Sequence, residues 1–283
     1  MKILLTGAAG FTGQHFIKIA GSNGHDICPL LADLTNYEAL EAEILKLNPT
    51  HVVHLAGLSA VTQSDELAFY KVNLLGTLNL LKALTCLAIK PDKILLASSA
   101  NIYGNATILP ITEKFALAPI NHYAMSKVAM EHMASTYLEQ LPIIFARPFN
   151  YTGVGQDDRF LIPKLVNHFA NKASSIQLGN IEVEREYNDV RFVCEAYLKL
   201  LNLGRAGEAY NVCSGRAVSI NNLLEMLESI TGHKIIVNID PVLVRKNELH
   251  SLYGDASKLE ACIRSIHHGR LEETLGWMLE AKK

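Results

Sequence analysis

The chain has 283 residues, 49% of them hydrophobic, and sets 26 Lys plus Arg against 28 Asp plus Glu. That length suits a nucleotide-binding domain with a smaller lobe, and a charge balance without any basic block argues against nucleic acid as a partner, so phosphate must be held locally by a few arginines and helix ends. Five cysteines show no CxxC spacing, and residues 1–7 are too short and too soon interrupted for a signal peptide or membrane span; the expectation is a cytoplasmic protein with reduced thiols and no membrane partner.

Residues 3–6 read as a buried strand running into Thr6-Gly7-Ala8-Ala9-Gly10-Phe11-Thr12-Gly13, and Phe11, Phe16, Ile17 and Ile19 start a helix directly after it. In that setting the glycines let backbone approach a pyrophosphate on the helix N-terminus, which makes Gly7, Gly10, Phe11, Thr12 and Gly13 candidate cofactor contacts. Their spacing departs from the GxGxxG of ordinary dinucleotide-binding turns. A second strand over 25–30 runs straight into Ala32-Asp33-Leu34-Thr35, with Asp33 twenty residues past Gly13, where an acid reaches a ribose hydroxyl. No Arg or Lys falls between Lys18 and Lys46, so a 2′-phosphate lacks a partner in this loop. The cofactor is expected to be NAD(H) or NADP(H), with a lean toward NAD(H).

Further strands over 51–55, 93–98 and 143–147 alternate with helical patterns, which predicts an α/β fold, a Rossmann-like doubly wound parallel sheet with helices on both faces. Ser99 closes the fourth of these strands, at the end where such sheets keep their ligands. Tyr123 and Lys127, four apart, share one helix face. A hydride arriving at a carbonyl carbon leaves charge on the oxygen, so the site needs an acid there. A phenol with an ordinary pKa of about 10, lowered by the Lys127 ammonium, supplies one, and the Ser99 hydroxyl orients the carbonyl. Alone, Tyr-x-x-x-Lys is more often a packed aromatic beside a snorkelling lysine. Following a glycine turn and a serine loop in this order, it reads as catalytic.

The second half has no further glycine turn and no internal repeat. It predicts a smaller lobe from helices over 160–172, 221–231 and 271–279 and strands over 175–178 and 234–238, dividing the chain into 1–150 and 151–283 with room for it to cross back. Leu223, Leu224, Leu227 and Ile230 have helical spacing and read as core. His51 and His54 point to opposite faces of a strand and cannot chelate together, and His267-His268 has no carboxylate motif nearby, so no metal is expected.

To these motifs the chain adds His54-Leu55-Ala56-Gly57, Asn73-Leu74-Leu75-Gly76-Thr77, Arg147-Pro148-Phe149-Asn150-Tyr151-Thr152-Gly153, Arg185-Glu186-Tyr187-Asn188-Asp189-Val190, Tyr210-Asn211-Val212-Cys213-Ser214-Gly215 and Arg245-Lys246-Asn247-Glu248. Together they resemble the extended short-chain dehydrogenase/reductases of the NAD-dependent epimerase/dehydratase family, enzymes of nucleotide-activated sugars, from Met1 to about Trp277. The resemblance implies Ser99, Tyr123 and Lys127 as catalytic residues, with Lys127 also on the nicotinamide ribose. It places Asp33 and Leu34 by the adenine, adds Leu55, Ala56, Gly57 and Asn73 to the cofactor site, and assigns Asn150, Arg185, Asn211, Arg245 and Glu248 to the nucleotide-sugar substrate. A homodimer is implied through a four-helix bundle of 66–87 and 122–138, with Leu74, Leu78, Leu81, Met130 and Met133 as candidates for its outer faces, some of which must instead face the sheet. Dehydratases of the family resemble Thr-Asp-Glu where this chain has Ser99-Ala100-Asn101, which disfavours elimination. The run from Gly179 to Tyr197 and on to Gly215 is similar to GDP-4-keto-6-deoxy-D-mannose reductases, which form GDP-D-rhamnose. UDP-hexose 4-epimerase is the alternative, and a non-catalytic NAD-sensing protein ranks last because the Ser/Tyr/Lys set is complete.

Overall fold

A computed structural model describes residues 1–59, 65–243, 249–264 and 266–282. Its centre is a six-stranded parallel sheet containing β1 (Lys2–Thr6), β2 (Asp26–Pro29), β3 (His51–His54), β4 (Lys93–Ala97) and β5 (Ile143–Pro148). The strand Ala209–Val212 completes it beside β5, and the spatial order runs from that strand through β5, β4, β3 and β1 to β2. Central strands of such a sheet are covered on both faces and therefore read as continuous apolar runs. Ile3 and Leu5 join the core under α1 (Phe11–Ser22) and the helix Val190–Leu203. Leu4, between them, points the other way, under α2 (Tyr37–Leu47) and the helices Thr77–Thr85 and His122–Ser135. The chain order reverses between β1 and β3, so the loops after these strands open one crevice at their carboxyl ends.

Helix Val190–Leu203 and strand Ala209–Val212 return to the large sheet, and a third core gathers helices Leu161–Ala170, Ile220–Thr231 and Leu271–Glu280. Leu223, Leu224 and Leu227 are buried there, but Ile230 is 41% exposed. It sits in the last turn before Gly232, which ends the helix in the left-handed conformation, beyond the reach of the neighbouring helices. Of the candidates for an outer bundle face, Leu81 and Met130 are the ones that face the sheet, inside the core. Among the described residues, no helix is long and apolar enough to cross a membrane.

Candidate active site

The glycine turn is built by close approach. Gly7 holds φ 69°, and a Cβ there would stand 2.6 Å from the Ala56 nitrogen and 2.8 Å from the Leu55 carbonyl carbon. A Cβ on Gly13 would lie 2.2 Å from the Gly7 oxygen. Such contacts admit only glycine, and they press the turn against the loop after β3. Helix α1 starts at Gly10 with no side-chain cap and no acid in its first turn, so its leading N–H groups and positive end are offered to an anion. This cradle fits a dinucleotide pyrophosphate. The side chains of Phe11 and Thr12 are otherwise engaged: Phe11 stacks on Tyr151 at 6.1 Å, and the Thr12 hydroxyl bonds the Tyr151 phenol at 2.9 Å. Their backbone is what remains for a ligand.

Beneath the turn runs a polar chain. The Ala56 N–H donates to the Thr6 hydroxyl at 3.0 Å, which lies 2.7 Å from Nδ1 of His54, while Nε2 of His54 lies 2.8 Å from the Thr77 hydroxyl. Thr77 gives its own proton to the Asn73 carbonyl, so Nε2 must be the donor to it and Nδ1 the acceptor from Thr6. Burial holds the imidazole neutral, with its pKa lowered to about 3. Asn73 sits in the π-helical stretch Tyr70–Gly76, a wide turn of the kind found at functional sites. Its amide accepts from Leu58 N at 2.8 Å and donates to the Ser126 hydroxyl at 3.0 Å.

Across the crevice, Ser99 caps the short helix Ala100–Tyr103, and its hydroxyl is close enough to the Tyr123 phenol to lower the pKa of that group. Asn121 caps the helix His122–Ser135 through Ala124 N and so fixes where Tyr123 enters the crevice. One turn on, Lys127 is buried and donates to the Ala97 carbonyl at 2.8 Å. A Cβ on Gly57 would come within 3.4 Å of its Nζ and 3.0 Å of the Asn73 amide oxygen, so Gly57, Asn73 and Lys127 line one patch. Burial pushes the Tyr123 phenol up, opposed by the nearby Ser99 hydroxyl. Burial also brings Lys127 down to about 8, opposed by Glu131. The phenol is therefore raised, whereas the sequence led us to expect an ammonium lowering it. Desolvation dominates, and the Lys127 ammonium is aimed at Ala97. A raised phenol keeps its proton at neutral pH, which is the state an acid needs.

The sequence signature of the GDP-mannose 4,6 dehydratase family matches residues 30–264. This chain belongs to that family. It is 34% identical to GDP-6-deoxy-D-mannose reductase of Pseudomonas aeruginosa over 99% of this chain and 92% of that one. It is 33% identical to GDP-6-deoxy-D-talose 4-dehydrogenase of Aggregatibacter actinomycetemcomitans, over 92% and 90%. The structure of RMD from Pseudomonas aeruginosa, solved with NADPH, superposes with a TM-score of 0.93 at 31% identity, covering 100% of this chain and 99% of that one. The protein is accordingly an NAD(P)-dependent sugar-nucleotide enzyme of the epimerase/dehydratase group.

In this family member the remaining assigned residues divide. Asn150 is exposed, and its carbonyl is held by Asn188 at 2.8 Å. Arg185 donates to the Glu184 and His250 carbonyls from the central strand of a three-stranded sheet. Asp33 is exposed, with its carboxylate turned onto Thr35, whereas Leu34 packs into the core against Gly76. Arg245 and Glu248 lie outside the described residues. Asn211 needs correcting as a substrate contact, because it is fully buried behind the site. Its amide accepts from Tyr103 at 2.7 Å and donates to the Ile111 carbonyl at 2.9 Å, and its N–H goes to Glu113.

That same network contains what sequence reasoning missed. Arg147 makes a bidentate pair with Glu131, Nε to Oε1 at 3.0 Å and Nη2 to Oε2 at 2.6 Å, both side chains over nine-tenths buried. Its third branch reaches the Tyr103 hydroxyl at 2.9 Å. Two signals pointed there: an arginine inside an apolar strand needs a partner, and Glu131 lies one turn past Lys127. Glu186, fully buried, accepts from the backbone of Ser214, Gly215 and Gly254 and from the side chains of Asn188 and Ser214. It ties the strand that carries Arg185 to the loop after Ala209–Val212.

Proposed function

We propose that this enzyme reduces the C4 ketone of a GDP-4-keto-6-deoxy hexose, taking GDP-4-keto-6-deoxy-D-mannose to GDP-D-rhamnose. The observation that carries the reading is the Ser99 hydroxyl set close enough to the Tyr123 phenol to lower its pKa, on a loop where Ala100 and Asn101 bring no carboxylate. The acids behind that loop are committed, Glu113 to Asn211 and Glu131 to Arg147, which leaves elimination of water without its acid and base. A bound NAD(P)H supplies the hydride. Ser99 orients the ketone oxygen, and Tyr123 gives its phenolic proton to that oxygen as negative charge develops, then recovers one from solvent. The ketone gains two electrons and two hydrogens, so one cofactor is oxidised for each alcohol formed. Lys127, Asn73 and Gly57 would hold the nicotinamide ribose, and Gly7, Gly10 and Gly13 the pyrophosphate. A homodimer through residues 66–87 and 122–138 goes with this reading, and Leu67, Leu75 and Met125 are exposed on these segments.

The two curated relatives support GDP as the nucleotide, and the sugars in their names are C4 epimers, so the face that receives the hydride remains for the product to report. Purified protein supplied with GDP-4-keto-6-deoxy-D-mannose and NADH or NADPH should oxidise one cofactor per sugar, with the manno configuration at C4 by NMR. The talo product would move the assignment to the other stereochemistry. Conversion of UDP-galactose to UDP-glucose with no net cofactor oxidation, and no action on the keto sugar, would replace it with the 4-epimerase.

A further inference from the structure

We propose that Glu43 makes this enzyme selective for NAD(H) over NADP(H), an inference that rests on the nicotinamide reading above. In a doubly wound sheet the adenosine ribose lies over the carboxyl end of the second strand. Here β2 ends at Pro29, and the Leu30 N–H still bonds the Leu5 carbonyl at 2.9 Å. Leu31 and Ala32 therefore carry the first N–H groups free of the sheet. Both donate to one carboxylate: Leu31 to Oε1 of Glu43 at 2.9 Å and Ala32 to Oε2 at 2.7 Å. Glu43 comes from α2, so neither the glycine turn nor the residues after β2 announce it.

A 2′-phosphate needs N–H donors and a cation. At this loop the donors are saturated by a carboxylate, so the dianion would meet like charge at short range. Leu31, the side chain best placed to reach it, is apolar and 87% exposed. Asp33 adds a second carboxylate two residues on. The Thr35 hydrogen bonds, with the Lys71 ammonium contributing least, hold the Asp33 carboxyl below its usual range. A 2′-hydroxyl, by contrast, is a donor and suits this acceptor-rich rim.

Direct titration of the purified protein with NADH and with NADPH, without sugar nucleotide, tests the proposal by calorimetry. NADH should bind roughly ten-fold or more tightly than NADPH. Glu43→Gln, which keeps an acceptor for one N–H, should tighten NADPH several-fold and leave NADH within about two-fold. Leu31→Arg, which leaves the Glu43 cap in place, should narrow the gap as well and guards against a folding defect in the first variant. Equal affinities in the unaltered protein, tighter NADPH, or an NADH-to-NADPH ratio unmoved by Glu43→Gln would overturn the proposal. Binding of neither dinucleotide would overturn the nicotinamide reading itself, and this inference with it.

Discussion

Replacing Glu131 by Gln removes one charge from a pair that is almost wholly out of water. The Arg147 guanidinium would keep its Tyr103 and Glu113 contacts, at 2.9 Å and 3.2 Å, and one amide oxygen from the new side chain. It would lose a charged acceptor and meet an amide N–H in its place. Breaking a buried pair on one side costs about 3–5 kcal/mol, and the surviving contacts put this case near the lower end. At roughly 2–4 °C per kcal/mol for a chain of this size, the melting temperature should fall by about 6–12 °C. Glu131 also supports the charge on Lys127, so its loss should drive the Lys127 pKa below about 8. In a pH–rate profile the alkaline limb would then move downward by a similar shift. A Glu131→Gln/Arg147→Met double variant should lose less stability than the two single variants summed, because the stranded charge is gone. A melting temperature within about a degree of the parent, or strict additivity in the cycle, would refute the idea that this pair is coupled and buried.

Tyr123→Phe should cut turnover by roughly 10²–10⁴-fold with little change in cofactor affinity by titration; near-parental turnover would remove Tyr123 as the acid. Gly13→Ala would drive a methyl into the Gly7 carbonyl at 2.2 Å, so dinucleotide binding should weaken by well over ten-fold, and normal binding would contradict the cradle. For Lys127, burial depresses the folded-state pKa to about 8 while the unfolded chain titrates at about 10.4. The penalty for burying its charge is thus fully present below pH 8 and is lifted as pH rises toward 10, because the unfolded state then holds the extra proton. Lys127→Met should therefore raise the melting temperature at pH 7 and lose that advantage by about pH 10, as thermal melts at the two pH values will show. Sedimentation at micromolar concentration should give a dimer, and a fully active monomer would dispose of the helical-bundle interface.

What could be read from the residues alone was what is local in the chain. Gly7, Gly10 and Gly13 act through backbone space within one turn, and Tyr123 and Lys127 through one helical turn, so spacing alone brings each group together. The alternation of Ile3, Leu4 and Leu5 between two helical layers follows from strand geometry in the same way. Asn211 was misread because its surroundings come from Tyr103, Ile111 and Glu113, segments roughly a hundred residues away that only the folded sheet assembles. The phenol of Tyr123 was expected to be lowered because a lysine one turn away is visible in sequence and the depth of burial is not. Leu81 and Met130 sit on helices with apolar residues on more than one face, so spacing alone does not say which of them meets the sheet.

The hydrogen bonds that run from Ala56 through Thr6, His54 and Thr77 to Asn73 all point the same way. Each donor in the series is answered by the acceptor ahead of it, so the dipoles add head to tail, and turning one hydroxyl around would strand a buried N–H or carbonyl. The imidazole in the middle thereby has no proton to spare and no lone pair to lend. A histidine one strand away from the crevice is, in effect, wired shut as an acid or base, which leaves the proposed proton transfer to the phenol of Tyr123.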